Sequence, residues 1–263
     1  MENKETLHII KIGGETLGDT NALKSVLEAF SQIIGPKIIV HGGGRKVGEL
    51  ASELGIKQEV VKGRRITSEE TLELCVMVYA GLYSKQIVAL LQKYQCKALG
   101  LSGADLGVIT AKKRKVSTID YKEVGDVKVV DGHLLSKLLT MGITPVFSSI
   151  TLGENFELLN TNADTLASEI AQSLSQKYNV SLVYCFGYPG VLKNSRDQNE
   201  YFKELSKEDI EKLEADKVIS DGMIPKLLTA LNAKKAGVGK VVILGSENFR
   251  EFLENEPTGT MIY

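Results

Sequence analysis

The chain has almost no net charge: 32 lysines and arginines stand against 33 aspartates and glutamates. Without a basic excess there is little to hold a polyphosphate backbone or an anionic membrane surface, so neither nucleic acid nor membrane is the expected partner. Cysteine is scarce as well. Cys75, Cys96 and Cys185 are odd in number, lack CxxC spacing and lie in apolar surroundings. Buried thiols in a reducing compartment are expected rather than disulfides or a zinc site. Met1 to Leu7 is polar and charged, unlike a signal peptide. No apolar run approaches the roughly 20 residues that cross a bilayer, and a soluble, cytoplasmic protein is the expectation. Low-complexity tracts and internal repeats are missing too.

Two nucleotide signatures are also missing. The turn Gly42-Gly43-Gly44 continues as Arg45-Lys46-Val47-Gly48, and its last glycine comes one residue late for G-x-G-x-x-G. Gly239-Lys240 is followed by Val241 rather than by the hydroxyl residue of a P-loop. A dinucleotide enzyme and a P-loop NTPase are both disfavoured.

What is present is a β/α alternation. The chain's 263 residues suffice for one large α/β domain or two lobes sharing a sheet. Apolar, β-branched runs read as strands at His8–Ile12, Lys37–Val40, Ala98–Leu101, Ile143–Ile150, Ser181–Phe186 and Lys240–Gly245. Apolar periodicity of 3.6 predicts helices over Asn21–Ile34, Glu69 to about Tyr94, His133–Met141 and Thr165 to about Gln176. A further helix is expected from Ser220-Asp221-Gly222-Met223-Ile224-Pro225-Lys226 to Ala236. Thr67 or Ser68 is placed to cap the second of these, and Ser206 to cap a helix beginning near Lys207. Ala111 to Asp131 alternates like antiparallel hairpins, a flap on the sheet edge. Lys193 to Glu200 reads as a polar loop. Repeated βα units imply a three-layer αβα sandwich with a mainly parallel open sheet. A lobe boundary is expected near Ser175–Asn179.

Several of these strands end on glycine or polar residues: Lys11-Ile12-Gly13-Gly14, His41 to Gly44, Gly100 to Asp105 and Asn160-Thr161-Asn162-Ala163-Asp164. Ligands of open α/β sheets bind at the carboxyl ends of strands. A glycine turn between strand and helix lets the backbone approach an anion and offers it the helix N-terminus. Lys11 is a cation inside an apolar strand, which is costly unless it faces a site; the competing reading is a snorkelling surface lysine. Asn160, Asn162 and Asp164 could equally form an Asx turn capping a helix. Lys226, one turn into its helix, is solvent-exposed by default. His41 is expected to be structural, held against the backbone.

Lys11-Ile12-Gly13-Gly14, His41-Gly42-Gly43-Gly44, Arg65-Ile66-Thr67, Asn160-Thr161-Asn162-Ala163-Asp164, Ser220 to Lys226 and Gly259-Thr260-Met261-Ile262 together resemble the acetylglutamate kinases of the amino acid kinase family. The match keeps order and spacing over nearly the whole chain. The resemblance implies ATP and Mg²⁺ as cofactors and an N-acylated glutamate as substrate, phosphorylated on its side-chain carboxylate for arginine biosynthesis. It implies that Lys11 and Lys226 flank the transferred phosphoryl group, with Asp164 holding both lysines. Gly43 and Gly44 would donate backbone N–H groups, Arg65 would pair with the α-carboxylate, and Asn160 with Asn162 would hold the acyl-amino portion. Gly13, Gly14, Gly187, Tyr188, Pro189, Gly190, Val191, Leu192 and Ser220 would line the nucleotide. It further implies an amino-acid-binding lobe over residues 1–176 that also dimerises, and a nucleotide-binding lobe over 177–263. No catalytic histidine or cysteine is required, because the nucleophile is already an anion.

The chain departs from the family pattern in three places. Gly187 stands where an aspartate is usual. Arg64 stands where an apolar residue is usual, and a second arginine suits a second carboxylate, as in N-succinylglutamate. Only Met1 to Leu7 precede the first strand, so a homodimer without arginine feedback is expected. Two other readings are an aspartate, glutamate or carbamate kinase, which Arg65 with Asn160 argues against, and a non-catalytic sensor, which Gly187 favours.

Overall fold

Side chains along an extended strand alternate between the two faces of its sheet. In β1 (Thr6–Ile12), Leu7 and Ile9 enter one apolar cluster and Ile10 and Ile12 the other, all fully buried. Both faces must therefore be covered, as in a parallel sheet clothed by helices. The computed structural model describes residues 4–61, 63–116, 118–194, 197–216, 218–219 and 222–263 and has that arrangement. β2 (Lys37–His41), β3 (Ala98–Leu101), β4 (Thr144–Ser148), β5 (Asn179–Phe186), β6 (Glu204–Leu205), β7 (Lys240–Gly245) and β8 (Thr260–Ile262) complete an eight-stranded sheet. Its order is β6-β8-β7-β5-β1-β2-β4-β3. The strands from β7 to β3 are parallel, whereas β8 runs antiparallel to β7 and carries β6 with it.

On the Ile10 face lie α1 (Thr20–Ser31), α2 (Gly44–Glu53) and α3 (Glu69–Lys93). On the Leu7 face lie α4 (Ala163–Leu174) and α5 (Ile224–Lys235), with the helices Gly132–Thr140 and Lys207–Ala215. The three-layer αβα sandwich expected from the β/α alternation is what the chain forms. Caps set the helix starts. The Asp19 carboxylate accepts from Asn21 N and Ala22 N, Ser68 rather than Thr67 caps α3, and Ser206 forms a capping box with Asp209. Cys75, Cys96 and Cys185 are buried and unbridged. Burial pushes the Cys75 thiol up to about 11 and that of Cys185 to about 12.

The helix expected from Glu69 to about Tyr94 is α3, and one other expectation needs correction. By length and composition α3 could cross a bilayer. Glu73, Lys85 and Gln86 interrupt its apolar residues, so it holds no unbroken apolar run of that length. It buries Leu74, Cys75, Val78, Tyr79, Tyr83, Ile87 and Leu91 against the sheet, as a core helix does. Within it, Val76–Tyr83 is wound as π-helix. The stretch read as a polar loop from Lys193 to Glu200 instead supplies parts of a hairpin, Val191–Asn194 with Asp197–Phe202. Its anchors, Val191 and Phe202, face each other at the base, and the polar residues between them hide the strand pattern.

The flap is part of a smaller four-stranded sheet. Ile109–Lys113 pairs antiparallel with Gly125–Val130 and parallel with Ile150–Gly153, which in turn pairs with Leu158–Asn160. Beside it, Glu59–Val61 and Arg64–Ile66 form a short hairpin, with Lys62 outside the described residues. Bridges from Thr67 to Lys122 and from Val124 to Asn160 tie these pieces together above the carboxyl ends of β1 and β2.

Candidate active site

Lys11 shares the pleat of Leu7 and Ile9, so it emerges on the face covered by α4 and α5. That placement decides its partners. Its Nζ lies 2.7 Å from Asp164 Oδ1, in the first turn of α4, and both side chains are under a tenth exposed. The same ammonium stands 4.5 Å from the centre of the Phe186 ring, and Lys226 Nζ stands 4.2 Å from that centre. Two lysines more than two hundred positions apart thus meet over one aromatic ring. Burial and the Lys11 charge hold the Lys226 ammonium below its usual range, while Asp164 and Glu15 oppose that shift. Among the described residues, Asp164 is in direct contact with Lys11 and acts on Lys226 only through space.

Beside this pair opens a cavity of about 270 Å³. Lys11, Gly14, Asp164, Gly43 and Gly44 line it on the side of the main sheet. The N-terminus of α2 begins at Gly44, and the N–H groups of a first helical turn have no acceptor within their own helix. Gly43 must be glycine: a Cβ there would come within 2.8 Å of both Tyr79 and Tyr83, which the π-wound segment of α3 presses against the turn. Arg65, Asn160 and Asn162 line the cavity as well. Arg65 donates through Nη2 to Gly44 O at 2.8 Å and through Nη1 to Gln58 Oε1, which fixes the plane of its guanidinium. Asn160 donates to Thr67 Oγ1 at 2.9 Å. Asn162 is both cavity wall and helix cap, its Oδ1 accepting from Thr165 N at 3.0 Å.

His41 is fully buried, with Nδ1 3.0 Å from Gly42 O. Burial pushes its pKa down to about 4, so at neutral pH it is an uncharged structural group. Gly13 spends its N–H on Cys185 O at 3.0 Å, leaving Gly14 as the glycine of that turn that reaches the cavity. Sequence reasoning missed Tyr79 and Ser149, which also line the cavity. The i, i+4 spacing of Tyr79 and Tyr83 was the available signal for one, and the Ser148-Ser149 end of β4 for the other.

The residues read as nucleotide contacts divide. Gly187, Tyr188, Pro189 and Leu192 reach solvent at the carboxyl end of β5. Gly190 and Val191 are buried: a Cβ on Gly190 would meet Tyr201 and Thr260, and Val191 N donates to Thr260 Oγ1 at 2.8 Å. Gly187 lines a second, open cavity of about 640 Å³ with Glu15, Ser246 and Glu247. Ser220 and Asp221 lie outside the described residues. Among the described residues no three His, Cys, Asp or Glu side chains cluster as metal ligands.

A free helix end, two lysines against one ring and a clamped arginine at the carboxyl edge of a parallel sheet are groups suited to binding anions. Residues 6–245 match the amino acid kinase family, and the chain belongs to it. It is 46% identical over 240 residues to the acetylglutamate kinase of Bacteroides thetaiotaomicron, covering 91% of this chain and 93% of that one. It is 44% identical over 260 residues to the acetylglutamate kinase of Cytophaga hutchinsonii, covering 98% of each. A solved structure from Streptococcus mutans superimposes with a TM-score of 0.77 at 26% identity, covering 97% of this chain and 98% of the other.

Proposed function

We propose that the chain transfers the γ-phosphoryl group of ATP to the side-chain carboxylate of N-acetyl-L-glutamate, giving an acyl phosphate and ADP, as a step of arginine biosynthesis. The observation that carries this reading is the Lys11–Asp164 pair in a cavity lined by Arg65 and Asn160, with Lys226 against the same Phe186 ring as Lys11. The substrate carboxylate attacks the γ-phosphorus, the bond to the bridging oxygen breaks, and its electrons leave on ADP. No proton has to move, so what the protein supplies is alignment and neutralisation of the phosphoryl oxygens. Lys11, Lys226 and the N–H groups of Gly43 and Gly44 do this. Arg65 pairs with the α-carboxylate, a planar, bidentate task for which guanidinium is suited. Asn160, with Asn162 beside it, receives the acyl-amino group.

Lacking a carboxylate cluster of its own, the described part of the chain fits a cation that arrives on the nucleotide, Mg²⁺ held mainly by phosphate oxygens. Bound with the nucleotide, it would supply positive charge to the phosphate oxygens. The donor half belongs to residues 177–263, with Gly187 to Leu192 as its rim. The acceptor half belongs to residues 1–176, with the strands Ile109–Lys113 and Gly125–Val130 as a flap that excludes water. Met77 and Leu82 on α3 and Leu99 on the edge strand β3 are large, exposed apolar residues. Such a patch suits a two-fold homodimer of a cytoplasmic enzyme.

The test is release of ADP in a coupled assay with N-acetylglutamate, aspartate, glutamate and carbamate. Turnover of N-acetylglutamate is expected for wild type. Binding without ADP release would replace the kinase reading with that of a sensor. Arg64 favours a second reading of the acyl group. It lines the cavity beside Arg65, and burial holds its pKa below the usual range, with Arg114 lowering it further. A second guanidinium in the cavity suits N-succinyl-L-glutamate. Arg64→Leu is expected to lower kcat/KM for the succinylated substrate by about tenfold and to leave the acetylated one unchanged; an unaltered ratio would remove the succinyl reading.

A further inference from the structure

Gly187 carries no side chain, yet the space over its Cα is filled. A Cβ at that position would overlap Glu15 Oε2 and lie 2.9 Å from Glu15 Cδ. The Glu15 carboxylate therefore occupies the volume in which a side chain of residue 187 would begin. The Glu15 side chain is exposed, and backbone bonds fix the turn that carries it. Gly13 N donates to Cys185 O at 3.0 Å, joining the turn after β1 to the end of β5, and Asp19 N donates to Glu15 O at 3.1 Å, closing the short helix Gly14–Gly18. Glu15 thus reaches the residue next to Phe186, whose ring lies beneath Lys226 Nζ.

Lys226 has need of such a group. Asp164 is already committed to Lys11 at 2.7 Å. The charged side chains acting on Lys226 from the described elements around it are Asp164 on α4, Lys11 on β1 and Glu15 on the turn; burial and Lys11 disfavour its charged form, while Asp164 and Glu15 favour it. Lys234 and Lys235 lie at the far end of its own helix. Of the two anions, Glu15 is the one whose carboxylate no ion pair within the described chain has engaged.

We infer that Glu15 is the positioning residue for Lys226: from over Gly187 its charge acts through space to steady the Lys226 ammonium at the phosphoryl group in flight, doing from the turn after β1 what a carboxylate on residue 187 would do from the end of β5. The inference rests on the phosphotransfer reading above for its kinetic consequence, but not for the pairing itself.

Glu15→Gln keeps the shape and removes the charge. Its kcat is expected to fall about tenfold, with KM for the N-acylglutamate unchanged, and the alkaline limb of its kcat profile is expected to move to lower pH. The pH dependence of Lys226 modification by an amine-reactive acylating reagent, read by mass spectrometry, is expected to move the same way. This second reading needs no turnover. Glu15→Ala empties that volume and is expected to move both profiles as Glu15→Gln does; adding Gly187→Asp to Glu15→Ala returns a carboxylate to the same volume and is expected to restore them. An unmoved labelling curve in Glu15→Gln overturns the inference, whatever happens to kcat. A labelling shift that Gly187→Asp reverses supports it. A labelling shift in a wild-type protein that turns over no N-acylglutamate keeps the pairing and sinks the kinase reading instead. Should the double variant fail to fold, the labelling curve of Glu15→Gln alone decides.

Discussion

Around Arg65 the polar groups already hold one another, whereas around Lys226 they wait at a distance. The guanidinium is clamped by Gly44 O and Gln58, Asn160 by Thr67, and Asn162 by the first turn of α4. Lys226 rests on an aromatic ring beside the exposed residues Gly187 and Tyr188. The acceptor half is thus built before any ligand arrives, and little ordering remains to oppose binding. In the proposed reading the nucleotide completes the donor half. Lys11 then belongs to both: its ammonium would face the transfer point, and its pairing with Asp164 is buried.

That dual character gives the largest expected effect. Lys11→Ala is expected to lower kcat by about a thousandfold with little change in KM. It also strands a buried carboxylate, which costs about 3 kcal/mol or more, so its melting temperature falls. Lys226→Ala is expected to lose kcat comparably without that thermal loss. Equal melting temperatures for the two variants would break the distinction between a built half and an open one.

Next in size, Arg65→Lys keeps the charge but loses the fork that meets Gly44 and Gln58 on one side and a carboxylate on the other. KM for the N-acylglutamate is expected to rise about tenfold or more, with kcat changing less. If kcat falls instead and KM holds, Arg65 acts in the transition state and the acceptor half is not merely a holder.

The smallest effect concerns the floor shared by both halves. His41 is held near pKa 4 by burial, against an unfolded value of 6.5. Between those pH values the unfolded chain takes up a proton that the folded chain refuses. His41's contribution is therefore fully present above pH 6.5 and is lost as pH falls toward 4, by up to about 3 kcal/mol. Melting at pH 7 and pH 5 is expected to show this loss in wild type and a reduced loss in His41→Asn. His8, also lowered by burial and by Lys240 and Lys37, adds in the same direction. An equal acid slope in both proteins would show that His41 is not the group responsible.

Much of this was readable along the chain. A lysine inside an apolar strand, glycines where strands become helices and an Asn-x-Asn-x-Asp run before a helix each violate a local preference, and each violation marks the cavity. The hairpin over Val191–Phe202 was not readable, because Lys193, Asn194, Asp197 and Glu200 face solvent and the stretch carries no apolar period. The helix α3 was readable, cap included, from its apolar period, but its π-wound segment over Val76–Tyr83 was not. Glu15 left no trace in the pattern: nothing local distinguishes it from any acidic residue in a first helical turn.

Composition and period fixed the layers, the parallel strands and the kinds of group at their carboxyl ends, because burial and backbone hydrogen bonding act on every residue through its immediate neighbours. Which groups touch was decided only by packing. That Asp164 meets Lys11 rather than Lys226, and that Glu15 fills the space left by Gly187, depends on distances between β1, β5, α4 and α5. Ion pairs and hydrogen bonds form only within a few ångströms, and no spacing along a single chain encodes such distances.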